Sequence, residues 1–255
     1  MFQARYETKA TTVTINTMLL ENIKDVYRKI SSATIRSGRN PFDVRLIAAT
    51  KTVDIQRIQE AVELGLRVFG ENRVQEANEK IAHLRHHMPD YLVEWHLIGH
   101  LQKNKAGAAV QLFDLIHSVD SMRLAQEIDR HAAKLGKTQR ILIQIKLSEE
   151  ESKYGISEEL FIKMLREASE MEHLSIEGLM TMPPFFEKPE KTRPFFRRLR
   201  ELRDSAEAEG FRLPELSMGM THDFEEAILE GATMVRIGTG IFGERIGGTM
   251  TRGRP

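Results

Sequence analysis

Eight short apolar runs recur along this chain, each followed by a stretch of helix-like spacing. That alternation constrains the fold more than any single motif does. The runs are Arg45–Thr50, Arg67–Phe69, Glu94–Gly99, Leu115–Val119, Ile141–Leu147, Ile176–Thr181, Glu215–Met218 and Thr233–Gly238. Amphipathic segments such as Asp54–Leu64, Asn72–His87, Ser121–Leu135, Ser157–Glu170, Lys191–Glu209 and Asp223–Glu230 lie between them. A further helix, Leu19–Ser37, precedes the first run, with Leu20, Ile23, Val26 and Ile30 on one face. Glycines at 65, 136, 210 and 231 stand where helices stop. Strands alternating with helices point to a parallel sheet. Eight such units in 255 residues match a (β/α)8 TIM barrel, which takes ~250 residues. An open doubly wound sheet is the alternative, and eight strands favour the barrel. The expected organisation is one barrel domain over residues 18–246, with a flexible extension over 1–17 and a flexible tail over 247–255.

Several function classes are disfavoured by composition. Basic and acidic residues balance at 37 each, whereas a general nucleic-acid binder carries a basic excess. There is no cysteine, so disulfides, thiolate chemistry and cysteine-held zinc are excluded. No apolar run approaches the ~18 residues of a membrane span, and the Thr-rich start lacks the apolar core of a signal peptide. A cytoplasmic protein is expected.

Lys51 closes the first apolar run, an unusual place for a charge. A partly desolvated lysine amine is a nucleophile that forms a Schiff base with an aldehyde. In a barrel, the carboxyl ends of the strands carry the active site. Those ends offer Lys51, Glu71, Asn72, His96, His100, Lys146 and Arg236. Barrels often bind phosphate on the loops after strands seven and eight, here Gly219-Met220-Thr221 and Gly238-Thr239-Gly240. Glycines let backbone N–H groups approach an anion, and threonine hydroxyls add donors. A lysine on strand one facing a phosphate site suggests one ligand with an aldehyde and a phosphate. Pyridoxal 5'-phosphate is such a ligand.

The segments Ile47-Ala48-Ala49-Thr50-Lys51-Thr52, Phe69-Gly70-Glu71-Asn72-Arg73-Val74-Gln75-Glu76 and Trp95-His96-Leu97-Ile98-Gly99-His100-Leu101-Gln102-Lys103-Asn104-Lys105 resemble the pyridoxal phosphate homeostasis proteins. So do Glu177-Gly178-Leu179-Met180, Leu216-Ser217-Met218-Gly219-Met220 and Val235-Arg236-Ile237-Gly238-Thr239-Gly240-Ile241-Phe242-Gly243. The match runs in order from about residue 20 to 245. The resemblance implies a fold-type III pyridoxal phosphate barrel, similar to the N-terminal domain of alanine racemase. It implies a covalent aldimine at Lys51, with Arg236 near the pyridine nitrogen. Thr221, Gly238 and Thr239 would hold the phosphate, and Asn72 and His96 would line the pocket. Met218, with Met180, Met182 and Met220, reads as barrel core or cofactor packing. It also implies a role in intracellular vitamin B6 homeostasis without significant turnover, with apo-enzymes as recipients of the cofactor. A monomer is expected, with no nucleic-acid or membrane partner and no metal.

Two departures from the family pattern stand out. Thr221-His222-Asp223 replaces the common Ser-x-Asp and keeps the hydroxyl. Lys146 stands where asparagine is common, and with Lys153 it offers a second amine. Arg236 bears on mechanism. The cofactor is a strong electron sink when its ring nitrogen is protonated, and an arginine only donates. Pairing of Arg236 with an acid such as Glu71 is the alternative role.

An amino-acid racemase is a second reading. It needs an acid/base on the opposite ring face, for which Tyr154 is the candidate. A Schiff-base aldolase on a phosphosugar is a third. His83, His86 and His87 share a helix at spacings that suit a metal, although a solvated face explains them more simply. The arginines at 193, 197, 198, 200 and 203 read as an outer helix face.

Overall fold

The structure, a computed structural model, describes residues 17–150 and 154–243. The expected extension and tail lie outside the described residues, apart from Thr17, as does Lys153. Eight parallel strands close into a barrel in chain order. They are β1 (Arg45–Ala49), β2 (Val68–Glu71), β3 (Glu94–Leu97), β4 (Leu115–Val119), β5 (Gln139–Gln144), β6 (Leu174–Met180), β7 (Glu215–Met220) and β8 (Met234–Ile237). The open doubly wound alternative is thereby ruled out: β1 pairs with both β2 and β8, so the sheet has no edge.

The helices are α1 (Thr17–Arg36), α2 (Ile55–Glu63), α3 (Val74–His87), α4 (Ala106–Leu112), α5 (Met122–Lys134), α6 (Glu158–Ser169), α7 (Arg193–Ala208), α8 (Phe224–Leu229) and α9 (Thr239–Phe242). Strand alternation sorts the apolar residues into two cores. Outward residues such as Leu46, Ala48, Leu97, Ile116, Leu216, Met218 and Ile237 pack in the core shared with the helices. Inward Ile47, Ile98, Leu115, Leu142, Met180 and Met234 fill the barrel itself. At ~25 cal/mol per Å² of buried apolar area, these two cores supply most of the folding drive.

Only the four-residue α9 follows β8 among the described residues, too short to cover the barrel wall there. Helix α1 takes that place. It buries Leu19, Ile23, Val26 and Ile30. Asn22 Nδ2 donates to the Ile241 carbonyl at 2.9 Å, tying α1 to α9. Arg39, just past α1, donates to the carbonyls of Ala232 and Ile228 at 3.0 and 2.8 Å.

The arginine row of α7 is more than a solvated face. Arg193, Arg197 and Arg200 converge on Glu230, which is buried at the end of α8, with N–O separations of 2.7, 3.0 and 3.4 Å. His83 and His87 stack at 3.9 Å between ring centroids on α3. Among the described residues no group of three or more His, Cys, Asp or Glu side chains is placed to hold a metal. No described helix is long and apolar enough to cross a membrane.

Candidate functional site

The first strand ends at Ala49, Thr50 is buried, and the chain turns at Lys51. Lys51 is therefore exposed at the mouth, not embedded in the strand end as its sequence position suggests. Its backbone, by contrast, is held firmly. Lys80 Nζ, on α3, donates to the Thr50 carbonyl, to Glu71 Oε1 and to Glu76 Oε1, each at 2.7 Å. Thr50 Oγ1 donates to the same Glu71 oxygen at 2.6 Å, and the Thr52 N–H donates to Glu76 Oε1 at 2.7 Å. Both peptide groups flanking Lys51 are thus anchored to one buried lysine–carboxylate cluster. Burial pushes the Glu71 carboxyl above its usual range, against the bonds from Lys80 and Thr50. Thr52 sits at φ 61°, a left-handed conformation unusual for a β-branched residue. Such strain persists only where the surroundings impose it, and here the Glu76 carboxylate does.

Beside Lys51 a rim pocket of about 460 Å³ is lined by Asn72, Arg73, His100, Lys105 and Tyr154, among others. The His100 ring stacks on that of Tyr154 at 3.7 Å. The pocket wall depends on Gly99, where a methyl group would lie 2.3 Å from the Asn72 carbonyl oxygen.

Across the β1–β8 pairing, the two glycine-containing loops meet. Gly238 precedes α9, and its carbonyl accepts from the N–H groups of Ile241 and Phe242. The Gly240 N–H points to Thr221 Oγ1 at 3.4 Å. Asp223 is buried and shapes the loop after β7, its Oδ1 accepting from the Met220 N–H at 2.7 Å. Thr221 and the Gly238–Thr239–Gly240 loop are therefore brought together. Ala48 pairs with Ile237, so this cradle and the Lys51 turn share one edge of the mouth.

Arg236, on β8, is 3 % exposed. Nη1 donates to Ser217 Oγ at 2.6 Å and Nη2 to the Thr181 carbonyl at 3.0 Å. No carboxylate touches it among the described residues. Burial pulls its pKa down to about 10, with only the more distant Asp223 opposing. Pairing with Glu71 does not occur, because Glu71 faces α3 and Lys80. A buried guanidinium without an acid in contact suits a ligand that brings its own acceptor.

Two expected pocket residues lie elsewhere. Met218 is fully buried and packs outward in the core under the helices, because Ser217 takes the inward place on β7. His96 is fully buried inside the barrel, between Glu94 and His117, so it does not border the mouth directly. Lys146 is half-buried after β5, where its N–H donates to the Ile156 carbonyl. It does not line the pocket beside Lys51.

Lys80, Glu76, Ser217 and His117 escaped sequence reasoning. The two-residue period offered a signal for one of them, since His117 shares a face of its strand with Leu115, as His96 does with Glu94. Lys80 reads as an ordinary polar helix position, and nothing local marks it.

The alanine racemase N-terminal domain model matches residues 20–246. A pyridoxal phosphate homeostasis protein of Aquifex aeolicus is 45% identical over 226 residues, 88% of this chain and 97% of that protein. The Escherichia coli K12 protein of the same description is 39% identical over 234 residues, covering 89% and 97%. Among solved structures, PipY of Synechococcus elongatus with pyridoxal phosphate bound is 38% identical at TM-score 0.77, covering 88% of this chain and all of that one. An alanine racemase of Clostridium difficile shares the fold at TM-score 0.69 and 15% identity, with this chain spanning 58% of its length.

Proposed function

The chain belongs to the pyridoxal phosphate homeostasis protein family, and from that premise we propose that it binds pyridoxal phosphate at the barrel mouth and holds it for other proteins. The observation that carries this is Arg236, a buried cation with no carboxylate in contact among the described residues, on the strand that leads into the Gly238–Gly240 loop of a mouth whose rim bears Lys51 and Thr221. The residues fit the group: Thr221, Gly238 and Thr239 would take the phosphate, Arg236 the ring nitrogen, Asn72 the rim side, and Lys51 the aldehyde. Pyridoxal phosphate supplies an aldehyde that condenses reversibly with an amine, releasing water, and a ring able to accept electrons.

The side chains favour holding over turnover. Arg236 can donate to the ring nitrogen but cannot deliver a proton to it, which weakens the electron sink. The anchored turn at Thr50–Thr52 presents the Lys51 amine from a fixed backbone. A recipient apo-enzyme would take the cofactor by exchanging its own lysine for Lys51.

Titration of the purified protein with pyridoxal phosphate should give a visible absorption band that Lys51→Ala abolishes. An unchanged band in that variant would contradict the assignment of Lys51. Amino-acid racemisation is the second reading, and the specific observation favouring it is Tyr154 in the same rim pocket as Lys51. Exchange of the α-hydrogen of alanine in deuterated water, lost in Tyr154→Phe, would support it. Holding without turnover predicts no such exchange.

A further inference from the structure

A continuous line of hydrogen bonds crosses the barrel interior from Arg236 to Glu94. Arg236 Nη1 donates to Ser217 Oγ at 2.6 Å, and that oxygen lies 2.8 Å from His117 Nδ1. His117 Nε2 lies 3.0 Å from His96 Nδ1, and His96 Nε2 lies 2.9 Å from Glu94 Oε1. Ser217, His117 and His96 have no solvent exposure. At the far end, Arg140 Nη1 donates to Glu94 at 2.6 Å, and Arg45 lies 3.7 Å from it.

With both rings neutral, the carboxylate end fixes the direction of every link. A guanidinium only donates and a carboxylate only accepts. Glu94 therefore takes the Nε2–H of His96, whose Nδ1, in a neutral ring, is left as an acceptor. His117 must then carry its hydrogen on Nε2 and give it to His96 Nδ1. His117 Nδ1 is then the acceptor for the Ser217 hydroxyl, whose oxygen receives from Arg236. The ordering holds with one hydrogen on each ring, and the absence of solvent around both rings favours that neutral form. Burial works in the same direction, holding both imidazoles below their usual pKa.

We propose that Ser217, His117 and His96 form a one-way positioning relay that holds Arg236 as a donor toward the cofactor ring and spreads its charge to Glu94 through the barrel. The inference rests on the pyridoxal phosphate reading above. A carboxylate in direct contact would neutralise Arg236 and compete for its remaining N–H groups. The relay compensates the buried charge from a distance and leaves those groups for a ligand. Cooperative polarisation along such a chain strengthens each link.

Histidine side-chain nitrogen NMR on labelled, ligand-free protein tests the relay without a variant or a cofactor. It should show both His96 and His117 as neutral Nε2–H tautomers near neutral pH. An imidazolium or an Nδ1–H tautomer at either would overturn the proposal. The positioning role is tested by Ser217→Ala, titrated separately with pyridoxal phosphate and with inorganic phosphate. The relay predicts about tenfold weaker pyridoxal phosphate binding and a shifted visible band, with phosphate binding unchanged. Equal weakening of both, or an unchanged band and affinity, would overturn it. If the wild-type protein shows no pyridoxal phosphate band while both tautomers are as stated, the functional reading fails, and with it the positioning role, although the hydrogen-bond line stands.

Discussion

Lys80 Nζ lies 2.7 Å from Glu71 Oε1, with the Glu71 side chain wholly out of solvent and that of Lys80 only 7 % exposed. The pair sits directly behind the Lys51 turn and fixes the carbonyl of Thr50. Removing the cation alone leaves a buried carboxylate without its counter-charge. Lys80→Ala is expected to cost about 3–5 kcal/mol of stability, read by urea unfolding. Glu71→Leu combined with Lys80→Met should cost less than Lys80→Ala alone, because no charge is stranded. A loss below ~1 kcal/mol in Lys80→Ala would mean the pair does not carry the turn.

Acid should destabilise the protein in two stages. His96 and His117 are held neutral by burial, so the unfolded chain binds more protons below the unfolded histidine pKa of ~6.5. Their contribution is present above that pH and is lost as pH falls below it. The hydrogen bond from His96, with support from Arg140, holds the Glu94 carboxyl down to about 2. Its contribution is present above the unfolded glutamate value of ~4.3 and disappears between there and about 2. Melting temperature against pH should decline below ~6.5 and again below ~4.3. His117→Phe should flatten the first decline, and a wild-type curve level from neutral to mildly acidic pH would contradict this.

Arg236 separates binding from stability. Its charge is buried with no carboxylate in contact among the described residues, so Arg236→Met should change the stability of the ligand-free protein by no more than ~1 kcal/mol. The same substitution should weaken pyridoxal phosphate binding by ten- to a hundredfold, roughly one hydrogen bond to a charged group. Calorimetric unfolding beside a spectroscopic titration reads both. Severe destabilisation with unchanged affinity would reverse the assignment.

Two glycines differ in what they protect. At Gly99 a methyl group would lie 2.3 Å from the Asn72 carbonyl oxygen, so Gly99→Ala must displace the Asn72 side of the pocket. It should cost about 1–3 kcal/mol and weaken the ligand. At Gly136, φ is +61° and the space is open, so Gly136→Ala should cost ~1 kcal/mol through the backbone and leave binding untouched. Comparable binding losses in both would show that the Gly99 contact has no role in the pocket.

Much of the architecture was legible in the chain because it depends on local periodicity. The eight runs became eight strands, though several ends moved by a few residues. The first strand stops at Ala49 rather than Thr50, and that one step turns Lys51 from a buried strand end into an exposed rim residue. The meeting of Thr221 with the Gly238–Gly240 loop followed from barrel order alone. What stayed hidden depends on which face a residue takes and on partners far away in sequence. Ser217 rather than Met218 faces inward, and His117 reaches its serine partner across 100 positions. Lys80 joins Thr50 across 30. No spacing rule links such residues before the barrel closes.

The most direct test is to load the protein with pyridoxal phosphate, reduce it with borohydride, and map the modified peptide by mass spectrometry. A single cofactor adduct on Lys51, absent from Lys51→Ala, is the predicted result. An adduct carried by Lys146 or another lysine, or binding that borohydride never makes permanent, would contradict it.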